Sequence, residues 1–311
     1  MMQTILGAGG TIGIELSRSL SQYTAAIRIV SRNPTKVNPS DQLFQADLTN
    51  RDQTLKAVEG SEIVYLTAGL PYNVKTWQSA WPVIMENVLN ACKTHKAKFI
   101  FFDNIYIYDG KNLNPMTEDH PVNPPSEKGK VRKKIANMVM NAHEKGEVEC
   151  LIARCADYYG PSVRNTSMLT EMVLKPLSLG RKANWMGGLD YKHSFTFTPD
   201  AGKATALLGN TNDAFGQVWH LPTASNPFTG REWIENIAGE LAVKPKYQLA
   251  SKWMVRVLGL FIPVMKEMVE MYYQYDRDYV FDSSKFEKRF GINPTSYPEG
   301  IKEIVKTDYT R

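Results

Sequence analysis

The sequence is short of cysteine, of metal-ligand spacing, of a dominant charge and of long apolar runs, and each shortage removes a class of protein. Its three cysteines, Cys92, Cys150 and Cys155, have no Cys-x-x-Cys spacing, which argues against a disulfide scaffold and favours reduced thiols. The five histidines are scattered without a His-x-x-x-His pair, so no metal site is expected. The most apolar stretch, Trp253 to Met265, is interrupted by Arg256, Gly259 and Pro263. It is too short to span a bilayer, and an integral membrane protein is not expected. The first residues carry no basic, apolar and cleavage-site succession, and a cytoplasmic location is the expectation. Lys and Arg (37) exceed Asp and Glu (32) by only five. The basic run Lys128 to Lys134 has no interleaved aromatics, so nucleic acid is not an expected partner.

What is present is an ordinary globular composition, 43% hydrophobic and 22% charged over 311 residues, enough for a large core. It opens with QTILGAGGTIGIELSRSL, Gln3 to Leu20. A short apolar strand runs into Gly7, Gly9, Gly10 and Gly13, and Thr11 and Ile12 start an amphipathic helix. A strand, a glycine turn and a helix N-terminus in immediate succession form a site for a diphosphate. Glycine permits positive φ and close backbone approach, and the free N–H groups at the helix start attract the anion. The expectation is a dinucleotide site.

The spacing of apolar residues predicts further strands at Ala26–Val30, Leu43–Ala46, Ile63–Thr67 and Lys98–Phe102, alternating with helices at Arg51–Val58 and Trp77–Thr94. Such alternation implies an α/β fold, a Rossmann-like doubly wound parallel sheet. The second strand ends in Ser31-Arg32 rather than an acidic residue. Arg pairs with a 2′-phosphate where an acid would accept from the ribose hydroxyls, so NADP(H) is favoured over NAD(H). Asp47-Leu48 follows the third strand, and Thr67-Ala68-Gly69 follows the fourth.

In these motifs the chain resembles the extended short-chain dehydrogenase/reductases, the NAD(P)-dependent epimerase/dehydratase-like family. It does so also in FIFFDNIYIYDG (Phe99 to Gly110), RCADYYGP (Arg154 to Pro161) and HSFTFTPD (His193 to Asp200). The resemblance implies a Rossmann domain over 1–165, with 195–222 returning to it, and a smaller, mainly helical substrate cap over 166–194 and 223–311. It implies that Asp47 contacts adenine, that a small molecule is the substrate, and that a homodimer forms through the helices Trp77–Thr94 and Glu127–His143.

The resemblance also exposes a departure. The family uses a Tyr with a Lys four residues on, and a Ser or Thr that holds the substrate oxygen. Here Lys128 and Arg132 align with the Tyr and Lys, and Asn104 with the hydroxyl residue. Tyr106 and Tyr108 are alternative proton donors, Tyr108 ranking below Lys128. On a helical wheel Val131, Ile135, Met138 and Val139 form the apolar face, with Lys128 and Arg132 at its edge. Two cations at i and i+4 repel, and a nearby anion would relieve them. The leading expectation is an atypical NADP(H)-dependent oxidoreductase or epimerase. The alternative is a non-catalytic NADP(H)-binding sensor or regulatory protein. The large apolar groups of the C-terminal part, among them Trp253, Phe261 and Tyr272, are expected to form the core of the cap; an apolar lid over a bulky or hydrophobic substrate and a membrane-surface helix are the alternatives.

Overall fold

In the computed structural model, which describes residues 1–163 and 165–309, seven parallel strands form one sheet. They are β1 (Met2–Leu6), β2 (Ala26–Ser31), β3 (Gln42–Gln45), β4 (Ser61–Leu66), β5 (Lys98–Asn104), β6 (Cys150–Cys155) and β7 (Val218–His220), in the order 7-6-5-4-1-2-3. The order reverses between β1 and β4, and such a switch point leaves a crevice beyond the strands' C-terminal ends. Every residue of β6 is buried, as expected of a strand covered on both faces.

Five helices cover this sheet: α1 (Thr11–Leu20), α2 (Arg51–Val58), α3 (Val74–His95), α4 (Glu127–Glu144) and α5 (Thr198–Gly209). Helices α1 and α5 approach so closely that a Cβ on Gly202 would lie 2.6 Å from the Glu15 backbone. Asn50 caps α2 and Asn73 caps α3, each accepting from a backbone N–H three residues on. Sheet and helices make up one compact unit, residues 1–107, 128–155 and 199–221.

The second unit comprises residues 108–127, 156–198 and 222–311. Its core gathers aromatic rings around Tyr159, with Phe195, Phe197, Trp233 and Tyr297 packed against it at tilted or edge-on angles. It takes in residues that the expected ranges give to the Rossmann domain, namely 108–127, 156–165, 195–198 and 222. Residues 156–165 fall here because Tyr159 lies in this core and Asp157–Tyr159 pairs with Phe195–Phe197. Residues 108–127 do so because Leu113–Met116 pairs in parallel with Tyr279–Phe281. Among its helices lie two short strands, Tyr247–Ala250 and Tyr279–Phe281. A π-helical turn at Thr170–Leu174 precedes a short α-helix at Lys175–Ser178. Arg164, Thr310 and Arg311, which the expected domain ranges include, lie outside the described residues.

Candidate functional site

The glycine turn is built from close approach on one side and open space on the other. Gly7 has φ +82°, and a Cβ there would lie 2.3 Å from the Cα of Ala68, the residue following Thr67 at the end of β4. Only glycine fits that position. A Cβ on Gly13 would come within 2.7 Å of the Ala8 Cα, so α1 leaves the turn tightly packed. By contrast, nothing lies within 4 Å of a Cβ placed on Gly9, Gly10 or Gly69. Two N–H groups, of Gly7 and Ala8, donate to the Val30 carbonyl at 2.9 and 3.2 Å and fasten the turn to β2. Helix α1 begins at Thr11 and Ile12 with no side-chain cap and no acidic residue in its first turn. An uncapped helix start behind an open glycine ledge suits a diphosphate.

At the rim of the same crevice, Ser31 closes β2, its Oγ buried without a hydrogen-bond partner among the described residues. Arg32 follows, exposed. The Asp47 carboxylate accepts from the Thr49 backbone N–H at 2.9 Å and from its hydroxyl at 2.8 Å. These bonds, with the Arg32 charge nearby, hold its pKa below the ordinary carboxylate value. Leu48 is buried, and its carbonyl accepts from the Asn87 side chain at 3.0 Å.

The chemical end of the site is organised by an anion that sequence periodicity does not show. Asp103, buried near the end of β5, accepts from Arg132 Nε at 2.7 Å through one carboxylate oxygen. Its other oxygen accepts from Arg154 Nη2 at 2.9 Å and Nε at 3.2 Å. The Arg132 guanidinium also lies 4.8 Å from the ring centres of Trp81 and Phe101. Instead of the edge of an apolar face, Arg132 occupies a buried ion triad, and the relieving anion belongs to the chain itself.

Lys128, one helical turn earlier, is also fully buried, its Nζ 4.5 Å from the centre of the Tyr72 ring. The Tyr72 hydroxyl lies 3.4 Å from that of Tyr106, and Tyr106 stacks on Trp77 at 6.2 Å. Asn104 Oδ1 accepts from the Tyr106 backbone N–H at 3.1 Å, which fixes the orientation of the amide. Lys128, Tyr72, Tyr106 and Asn104 therefore make one polar cluster beside the ends of β4 and β5. Tyr108 belongs to the second unit, where it is fully buried and edge-on to His120 at 5.2 Å. Tyr72 is the member that sequence reasoning missed. It follows the Ala68-Gly69 signal by only a few residues, and the crevice-side position of that loop was the available clue.

The model of the NAD dependent epimerase/dehydratase family matches residues 4–220. No curated protein matches the sequence. Among solved structures, the chain is similar to UDP-glucuronic acid 4-epimerase from Bacillus cereus in complex with NAD, with 18% identity and a TM-score of 0.81 over 99% of this chain and 98% of that one. It is similar to UDP-glucose 4-epimerase from Thermus thermophilus complexed with NAD, with 14% identity and a TM-score of 0.80 over the same shares. It also resembles a double mutant of DesIV, a dTDP-glucose 4,6-dehydratase from Streptomyces venezuelae, with 15% identity and a TM-score of 0.79 over 98% and 96%. At these identities the likeness is one of fold.

Proposed function

This chain belongs to the NAD dependent epimerase/dehydratase family, and we propose that it binds NADP(H) and carries out hydride chemistry on a carbonyl or alcohol of a small molecule. Reduction, oxidation and redox-neutral epimerisation all fit that description. The observation that carries the proposal is the open ledge at Gly9 and Gly10 ahead of an uncapped helix start, with a polar cluster retained at the ends of β4 and β5. The residues present suit the dinucleotide. Gly7 to Gly13 with Thr11 and Ile12 would hold the diphosphate, Ser31 and Arg32 the 2′-phosphorylated ribose, and Asp47 and Leu48 the adenine. The segment Thr67 to Gly69 would line the path toward the nicotinamide, which when bound supplies the hydride donor or acceptor.

The chain's own contribution is placement and proton handling. Asn104 Nδ2 is the donor offered to a substrate oxygen, because its Oδ1 is engaged by Tyr106. Lys128 and the paired phenols of Tyr72 and Tyr106 hold and move the proton that accompanies the hydride. Arg132 acts by fixing the end of β5 through Asp103. The alternative, an NADP(H) sensor without turnover, is favoured by this commitment of Arg132 to a structural pair.

Fluorescence titration with NADPH and NADH, followed by turnover on panels of carbonyl compounds and nucleotide sugars, tests the reading. Tighter binding of NADPH and turnover that falls at least about 100-fold in Lys128→Met are expected, the range of general acid–base contributions. Equal or tighter binding of NADH sinks the Arg32 assignment. Full turnover in Lys128→Met removes the role given to Lys128, and binding without turnover on any panel member selects the sensor.

A further inference from the structure

The apolar groups expected in the core of the cap include a segment that the fold leaves outside. Helices Lys252–Leu258 and Pro263–Met268 form a hairpin closed so tightly that a Cβ on Gly259 would lie 2.9 Å from the Lys266 Cα. Val255 and Met268 anchor it, both buried. Its other large side chains face solvent: Trp253 is 67% exposed, Leu260 79% and Phe261 81%, and Val257, Leu258 and Val264 are exposed with them. An apolar group of this size on an anchored hairpin marks an interaction surface.

The charges around it say what kind. From Leu241 to Lys266 there is no Asp or Glu, whereas Lys244, Lys246, Lys252, Arg256 and Lys266 are basic; the hairpin's one carboxylate is the half-buried Glu267 near its end. Arg256 and Lys266 are exposed, and neither forms an ion pair among the described residues. The strand Tyr247–Ala250 leads directly into the hairpin, and Arg181, Lys182 and Lys246 line a cleft of about 680 Å³ beside it. Aromatic and aliphatic tips flanked by unneutralised cations are complementary to a negatively charged lipid interface. There the apolar groups enter the acyl boundary and the cations meet phosphate and carboxylate headgroups.

We propose that the hairpin 252–266 docks this protein reversibly on anionic phospholipid membranes, with Leu260, Phe261 and Trp253 inserted and Lys252, Arg256 and Lys266 at headgroup level. No helix among the described residues is long and apolar enough to cross a membrane, so the attachment is peripheral.

Flotation of the full chain with vesicles of phosphatidylcholine alone, or of phosphatidylcholine with phosphatidylserine, tests this. Binding is expected only with phosphatidylserine, weakening as salt is raised from about 0.1 M toward 1 M. It is expected to fall at least tenfold in Leu260→Ser/Phe261→Ser and in Lys252→Glu/Arg256→Glu, at unchanged melting temperature. The blue shift of tryptophan fluorescence on binding should vanish in Trp253→Phe. Absence of binding to either vesicle, or equal binding to both, overturns the proposal. So does a dimer in solution that Phe261→Ser converts to monomer, because the occupant of the hairpin would then be a second copy.

Discussion

Asp103 is the residue on which the chemical end of the site depends. Its carboxylate is wholly buried between two guanidinium groups that are themselves almost inaccessible, with side-chain exposures of 5% for Arg132 and 3% for Arg154. Removing the anion takes away the carboxylate that the two buried cations share, a change that typically destabilises by about 3–5 kcal/mol. Asp103→Asn is therefore expected to lose stability on that order in urea titration. Arg132→Met should lose less, because Arg154 still pairs with Asp103. Equal losses in the two variants would mean that Arg154 does not hold Asp103 without Arg132, so that the three ions stand or fall together. A second residue-scale prediction concerns the thiols. Cys92, Cys150 and Cys155 are all buried, and none forms a disulfide. Burial raises the Cys92 thiol well above its ordinary pKa and pushes Cys150 up to about 12. The native protein at mildly alkaline pH should react with none of its thiols on the timescale on which the urea-unfolded chain reacts with three. Rapid labelling of the native form would contradict this burial.

At the scale of elements, the glycine turn separates two requirements that its motif merges. Gly7→Ala drives a methyl into the β4 end at a positive φ, so it should cost several kcal/mol of stability and abolish binding with it. Gly9→Ala meets no atom of the chain. It should leave the melting temperature almost unchanged and weaken dinucleotide binding, by direct obstruction of the diphosphate. Comparable melting losses in both variants would remove the distinction. Elements defined by local signals were legible in the sequence: α2 spans Arg51–Val58 as expected, its start capped by Asn50, and β5 and α4 follow apolar periodicity. What periodicity could not supply was the partner in space. The wheel put Arg132 at an edge because it cannot see Asp103, a strand away. Tyr72 carries no local mark, and its role emerges only when Lys128 lies over its ring. The short parallel pair of Leu113–Met116 with Tyr279–Phe281 joins segments far apart in the chain, beyond the reach of any window of local sequence.

At the scale of the whole molecule, acid should act on both units through carboxylates whose folded pKa values are depressed. Asp47 is held down by Thr49 in the first unit. In the second, Glu232 is held down by the backbone N–H and hydroxyl of Thr229, and Glu299 by the hydroxyl and backbone N–H of Ser296. The last two close capping boxes at the starts of helices Gly230–Glu240 and Tyr297–Ile304, which pack into the aromatic core around Tyr159. Because each folded value lies below the unfolded one, near 4.5 for Glu, the stabilisation is fully present above that pH. It is lost as pH falls through the folded values. Glutamine preserves the capping geometry without the charge, so Glu232→Gln/Glu299→Gln should melt below the parent at neutral pH. That gap should close as the pH falls from about 4.5 through the lower folded values, where the parent's own carboxylates become neutral. A gap of constant size across that range would show that the two capping carboxylates contribute no proton linkage, and that acid loosens the molecule through other groups.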